Sequence, residues 1–78
     1  MFLSNKSSIK VDGVGDLYRC ADKLAKGNIE IGFKFFEMAK EKTTGLIGLD
    51  LDRNRVEKDN LYWAEMVLDE YMRIKRLV

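Results

Sequence analysis

Between Asn54 and Val78 the chain contains neither glycine nor proline, and its apolar residues recur at intervals of three and four. A stretch of that kind has few ways to fold other than as one long helix. Turned at about 100° per residue, Trp63, Ile74, Val67, Val78, Tyr71, Ala64, Leu68, Leu61 and Met72 fall on one side. Asn60 and Lys75 are the polar residues among them. The arc covers about half the wheel, wider than one neighbour requires, and predicts a helix that touches two others. Lys58, Asp59, Glu65, Asp69, Glu70, Arg73 and Arg76 occupy the opposite side.

Charge order supports this helix. Asp52, Glu57 and Asp59 stand at or before its start, and Arg73, Lys75 and Arg76 stand in its last turns. That order complements the helix dipole. Asp69 and Arg73, four apart with the acid first, are placed to pair. Tyr62, Met66 and Leu77 interrupt the charged side. They are ordinary exposed apolar residues, residues under a loop, or a strip for a partner.

Upstream the chain reads as two shorter helices. Residues 1–8 are polar after Phe2 and Leu3 and read as a flexible arm, with those two free to fold back on the helices. Ile9-Lys-Val11 alternates and precedes Asp12-Gly13, a turn signal, so a short strand or extended chain is expected there. The first helix is expected from Gly15 or Asp16 to Ala25, with Asp16 as cap or first-turn acid. Leu17, Cys20, Ala21 and Leu24 form its apolar stripe, and Gly27 stops it. The second spans Ile29 to Lys42, with Asn28 as N-cap. Its arc of Ile31, Phe35, Met38, Ala39, Phe36, Ile29 and Phe33 is the broadest in the chain and predicts the central helix. The Gly27-Asn28 link makes the pair a tight helical hairpin.

Residues 43–54 are ambiguous. Gly45 ends the second helix, and Leu49 to Asp52 alternates. A strand over 46–52 paired with 9–11 and a buried loop across the helix ends are both open, although an isolated two-strand pair is marginal. The expected fold is therefore all-α: one domain of three helices, a hairpin plus a long C-terminal helix, with or without a minimal strand pair. At 78 residues a single core is near the lower limit of stability without staples.

Leu17, Ala21 and Leu24, then Gly27-Asn28-Ile29, then Gly32, Phe36 and Ala39 resemble a tetratricopeptide-type hairpin over about a third of the chain. Small residues let such helices approach closely while large ones fill the gaps beside them. The turn is one residue short of that pattern, Gly32 replaces the usual alanine, and no proline closes the unit. With a third helix added, the chain is also similar to the three-helix microtubule-interacting and trafficking domain. Asn54-Arg-Val-Glu and Leu61 to Val67 faintly echo Asn28-Ile-Glu and Phe33 to Ala39, as a degenerate second repeat or by chance. These resemblances imply peptide or partner-helix binding in a groove between helices.

The chemistry-bearing patterns are thin. The chain has no histidine, hence neither the usual neutral-pH base nor the commonest metal ligand. No GxGxxG, GK[ST] or GxSxG is present, and Gly13-Val-Gly15 lacks the rest of a phosphate loop. Asp50-Leu-Asp52-Arg-Asn54 opens like a calcium loop, but Arg55 stands where glycine is needed and Leu61 where the closing acid belongs. Capping by Asp52 or Asn54 explains those residues with less. The carboxylate pairs Glu65/Asp69 and Glu37/Glu41 have basic neighbours and read as solvated surface. The one cysteine, Cys20, lies on an apolar face and reads as a buried thiol in a reducing compartment.

Net charge is +1, with 14 basic and 13 acidic residues interspersed. No basic stripe marks a nucleic-acid surface, and the mixture at Tyr62, Trp63, Tyr71, Arg73, Lys75 and Arg76 is broken by Asp69 and Glu70. The opening residues are too short an apolar run for a signal peptide, and no stretch is long enough to span a bilayer. A cytoplasmic, non-enzymatic protein-binding module or small regulator is the expected function, without cofactor or metal, and homodimerisation is one way its surface is used. The alternative is a nucleic-acid-associated regulator. The expected partner-binding residues are Tyr62, Met66 and Leu77, with Phe33 as a second candidate.

Overall fold

The structure, a computed structural model, describes residues 5–78. It is all-α: α1 (Asn5–Ala25), α2 (Ile29–Thr43), α3 (Arg53–Lys58) and α4 (Asn60–Lys75), with no strand among the described residues. The expected hairpin is present. At its turn the Asn28 N–H donates to the Lys23 carbonyl and the Gly27 N–H to the Leu24 carbonyl. That is a Schellman closure, and it requires Gly27 at φ +82°. Asn28 holds the N-cap position of α2, but its side chain makes no capping bond.

α1 begins far earlier than the sequence suggests. The half of the expected arm at 5–8, the expected strand 9–11 and the expected turn Asp12-Gly13 all lie in one helix, while residues 1–4 lie outside the described residues. Packing explains the difference. Gly13 and Val14 extend the buried stripe of Leu17, Cys20, Ala21 and Leu24 toward the N-terminus, and Gly13 sits against the end of α2. A Cβ there would stand 2.7 Å from Thr43 Cγ2 and 2.9 Å from Lys42 Cβ. Tertiary contact overrides the local turn preference of Asp-Gly.

Asp16 is likewise not a cap. It lies in mid-helix, 3% exposed, and accepts from Lys42 Nζ at 2.8 Å and Arg19 Nη1 at 3.1 Å. The pair with Lys42 ties α1 to the last turn of α2. The hydrogen bond to Asp16 raises the Lys42 pKa above its usual 10.5.

The central helix is α1, which packs against both α2 and α4, while α2 and α4 have little direct contact. α2 was expected in that role on the breadth of its arc, yet Ile31 and Met38 are exposed. α4 begins where α1 ends: Asn60 Nδ2 donates to the Leu24 carbonyl at 2.7 Å. It therefore runs antiparallel to α1. This bond explains the polar residue in its apolar arc: Asn60 gives the Leu24 carbonyl, which also accepts from the Gly27 N–H, a second donor and lies 3.5 Å from the Ala25 carbonyl at the end of α1.

Residues 44–52 return as extended chain from the end of α2 to the start of α3. Two successive left-handed residues, Thr44 at φ 36° and Gly45 at φ 84°, turn the chain out of the helix. Ile47, Leu49 and Leu51 turn inward onto the core, and Gly48, Asp50 and Asp52 face out. The alternation is thus realised, but without a partner strand, since Ile9 to Val11 belong to α1. Side chains of α4 satisfy the backbone instead. Glu70 accepts from the Gly48 N–H at 2.6 Å, and Arg73 donates to the Leu46 carbonyl at 2.8 Å. Arg73 also pairs with Glu70 at 2.8 Å, not with Asp69 as the spacing suggests. The loop draws Glu70 and Arg73 together on its own side of α4. Arg73 holds the Glu70 carboxyl below its usual pKa, with help from the Gly48 N–H.

The expected single C-terminal helix is two. Asp59, at φ −150°, ψ 70°, ends α3 and caps α4, accepting from the Tyr62 N–H at 3.3 Å. Asp52 caps α3, accepting from the Asn54 N–H at 3.2 Å. The break seats Val56 in the core and lets Asn60 reach α1. Aspartate favours this, since its side chain competes with the helix for backbone N–H groups.

Candidate functional site

Of the residues that carry the hairpin resemblance, the six on the helices (Leu17, Ala21, Leu24, Gly32, Phe36 and Ala39) are all buried, while Gly27 and Asn28 of its turn are exposed. On the α1–α2 side the depression lies at the far end of the hairpin, lined by Ile9, Lys10, Glu41, Lys42 and Thr44 and mostly polar in residue type. A more apolar concavity is on the other face of α1, along its seam with α4. It has a volume of about 290 Å³ and is lined by Tyr18, Ala21, Asp22, Ala25, Leu61, Ala64, Glu65 and Leu68. Its origin is a mismatch of side-chain size. Ala21 and Ala25 on α1 face Ala64 on α4, leaving a trough, while Tyr18, Leu61 and Leu68 stand outside it as walls. Those three are 52%, 61% and 39% exposed. Met72, one turn beyond Leu68, continues the apolar wall and is also exposed.

Tyr18 is shared with a second depression toward the other end of the seam, lined by Val11, Val14, Gly15, Arg19, Tyr71, Lys75 and Val78. The Tyr18 and Tyr71 rings meet between the two, with centroids 5.3 Å apart. Lys75 Nζ lies 5.6 Å from the Tyr71 centroid. The seam is thus one apolar strip with an acidic end, where Asp22 and Glu65 line it, and a basic end, where Arg19 and Lys75 line it. Asp22 is held by Lys26 at 3.1 Å and Arg19 by Asp16. Glu65 and Lys75 have no ion-pair partner among the described residues.

The residues singled out from the sequence are not brought together. Tyr62 is exposed and meets the neighbouring Trp63 ring edge-on, with centroids 5.2 Å apart. Met66 is half-buried, on the side of α4 that carries Glu70 and Arg73 toward the loop. Leu77 is exposed beyond the end of α4. Phe33 is half-buried on α2, packed on the core, with the Arg53 guanidinium 5.9 Å from its ring centroid.

Sequence reasoning placed Leu61, Leu68 and Met72 on the packed side of their helix. The extended loop rotates the buried arc of α4 toward itself, so Trp63 turns inward and these three turn outward. The overbroad arc was the available signal: one helix and one extended segment cannot cover what two helices would.

The motifs considered for ion, phosphate or thiol chemistry have local structural roles. Asp52, from the calcium-like stretch, is the cap of α3, with Arg55 3.7 Å away. Gly13 and Gly15 lie inside α1 rather than in a phosphate loop. Cys20 is fully buried, and desolvation pushes its thiol up to about 12. Among the described residues no helix is long and apolar enough to cross a membrane, and no three acidic or sulfur ligands cluster as a metal site. Comparison with protein-family models, curated proteins and solved structures finds no match.

Proposed function

We propose that this protein is a small, non-enzymatic binding module that takes the apolar face of an amphipathic helix into the groove between α1 and α4. The observation that carries this reading is the groove itself: an alanine floor between exposed Tyr18, Leu61 and Leu68. Leu61 and Leu68 are two helical turns apart, which is the repeat at which a partner helix offers successive anchors. Alanine floors admit such anchors closely, and the apolar walls remove them from water. The resemblance of Leu17 to Ala39 to a tetratricopeptide-type hairpin fits a rigid scaffold whose closed α1–α2 seam leaves the other face of α1 for a guest.

The test is selection from a displayed library of helical peptides, using the wild-type protein and a Leu68→Glu variant matched in helical circular dichroism. Peptides enriched by the wild type are expected to carry apolar residues at i, i+4 and i+7 and to be lost with Leu68→Glu. Enrichment that Leu68→Glu leaves unchanged overturns the reading, as does no enrichment by a wild-type protein that is monomeric in solution.

A further inference from the structure

The exposed stripe that runs along α4 and past its end to Val78 reads nearly the same from both ends. In chain order it is Leu61, Glu65, Leu68, Met72, Lys75 and Val78: apolar, acid, two apolar, base, apolar. We infer that the groove's occupant is a second copy of this chain, paired antiparallel about a two-fold axis that crosses α4 at the level of Glu70. This inference rests on the groove reading above and names the partner.

A two-fold interface brings the same patch of each copy together, so the patch must complement itself. Antiparallel pairing at that level sets Leu68 against the partner's Met72, and Leu61 near the partner's Val78. It also sets Glu65 of each copy against Lys75 of the other, twice over. These are the two charges of the seam that lack an ion-pair partner among the described residues. A parallel pairing would set acid against acid and base against base, which is unfavourable. The seam's acidic and basic ends therefore choose the orientation, and a net charge of +1 adds little repulsion between copies.

Area and size agree. Leu61, Leu68, Met72, Tyr18, Val11 and Val78 are each roughly half exposed. Together they present on the order of 500 Å² of apolar surface, and with their polar rim the face approaches the about 800 Å² per partner of a stable interface. The large side chains buried completely in the monomer are few, chiefly Leu17, Leu24, Ile74, Val56 and Val67. A core this small gains stability from association.

Sedimentation velocity from low micromolar to near-millimolar concentration tests this, on the wild type and on Glu65→Lys, Lys75→Glu and Leu68→Glu. The wild type is expected to be a dimer, and Leu68→Glu a folded monomer; Leu61→Glu repeats that test at a more exposed site. Each single charge variant is expected to lose at least about tenfold in affinity. Mixing the two charge variants is expected to restore a heterodimer, because both cross-pairs are then of opposite sign. A dimer that survives both leucine variants, or charge variants that dimerise as tightly as the wild type, overturns the proposal. A wild-type monomer overturns it too. If that monomer still enriches helical peptides sensitive to Leu68→Glu, the groove reading stands without the second copy; if it enriches none, both fall.

Discussion

α1 meets a helix on each of two faces, and the two seams are built differently. Toward α2 the small residues are Gly13, Gly32 and Ala39, and the large ones turn inward. A Cβ on Gly32 would lie 2.6 Å from Leu24 Cδ2, so no space is left for a side chain at that crossing. The Asp16–Lys42 ion pair then locks the far end. Toward α4 the small residues are alanines, Ala21, Ala25 and Ala64, and the large ones nearest them, Tyr18, Leu61 and Leu68, stand outside. Small residues thus close a seam when large neighbours point into it and open a trough when they point away. Composition is similar on the two faces; the direction of the large side chains decides which becomes core and which becomes surface.

Enlarging a small residue on each seam separates them most sharply. Gly32→Val is expected to destabilise by about 1–3 kcal/mol, because Leu24 is fully buried and has nowhere to move. Urea unfolding followed by circular dichroism measures it, and a wild-type midpoint would show that the α1–α2 seam is looser than described. Met66→Glu comes next, with a melting temperature lower by several degrees, because Met66 is half-buried on the loop side of α4. An unchanged melting point with lost partner binding would return Met66 to the binding surface.

The loop staple gives a pH signature. Glu70 has a folded pKa below its usual 4.5, so it contributes stability at higher pH that is lost as pH falls through the folded value. Glu70→Gln is expected to flatten the acid limb of stability against pH, and a limb that keeps its slope would assign the acid sensitivity elsewhere. Lys42 has the opposite sign: its raised pKa contributes stability present below 10.5 and lost as pH rises through the folded value. The smallest effect on stability is expected at the groove. Ala25→Leu fills an exposed trough, so the melting temperature should stay within a degree or two while peptide capture or dimerisation falls. A large loss of stability would show that Ala25 is packed as tightly as Gly32.

The hairpin was legible because its signals are local: Gly27 for a left-handed stop, and a three-to-four repeat on both sides. The early start of α1 was not, because Asp12-Gly13 is a turn in isolation and a helix only where Lys42 and Thr43 need a neighbour without a side chain. The break before α4 was half legible. Asp59 was read as a favourable first-turn charge and proved to be the cap itself. Tyr62, Met66 and Leu77 stand out of pattern on their own helix, and Phe33 stands at the edge of an overbroad arc. The groove is made of residues in pattern, whose neighbour is missing.

The sequence by itself determined the helical class, the hairpin turn, the alternation of the returning segment and the absence of histidine chemistry. All follow from the periodicity and identity of residues near one another in the chain. The tertiary structure alone decided that α1 is central, that the returning segment bonds to Glu70 and Arg73 rather than to a strand, and that Leu61, Leu68 and Met72 face out. A helix's apolar arc fixes how much surface must be covered. Which part is covered depends on the elements that arrive beside it, and an extended segment covers less than a helix would.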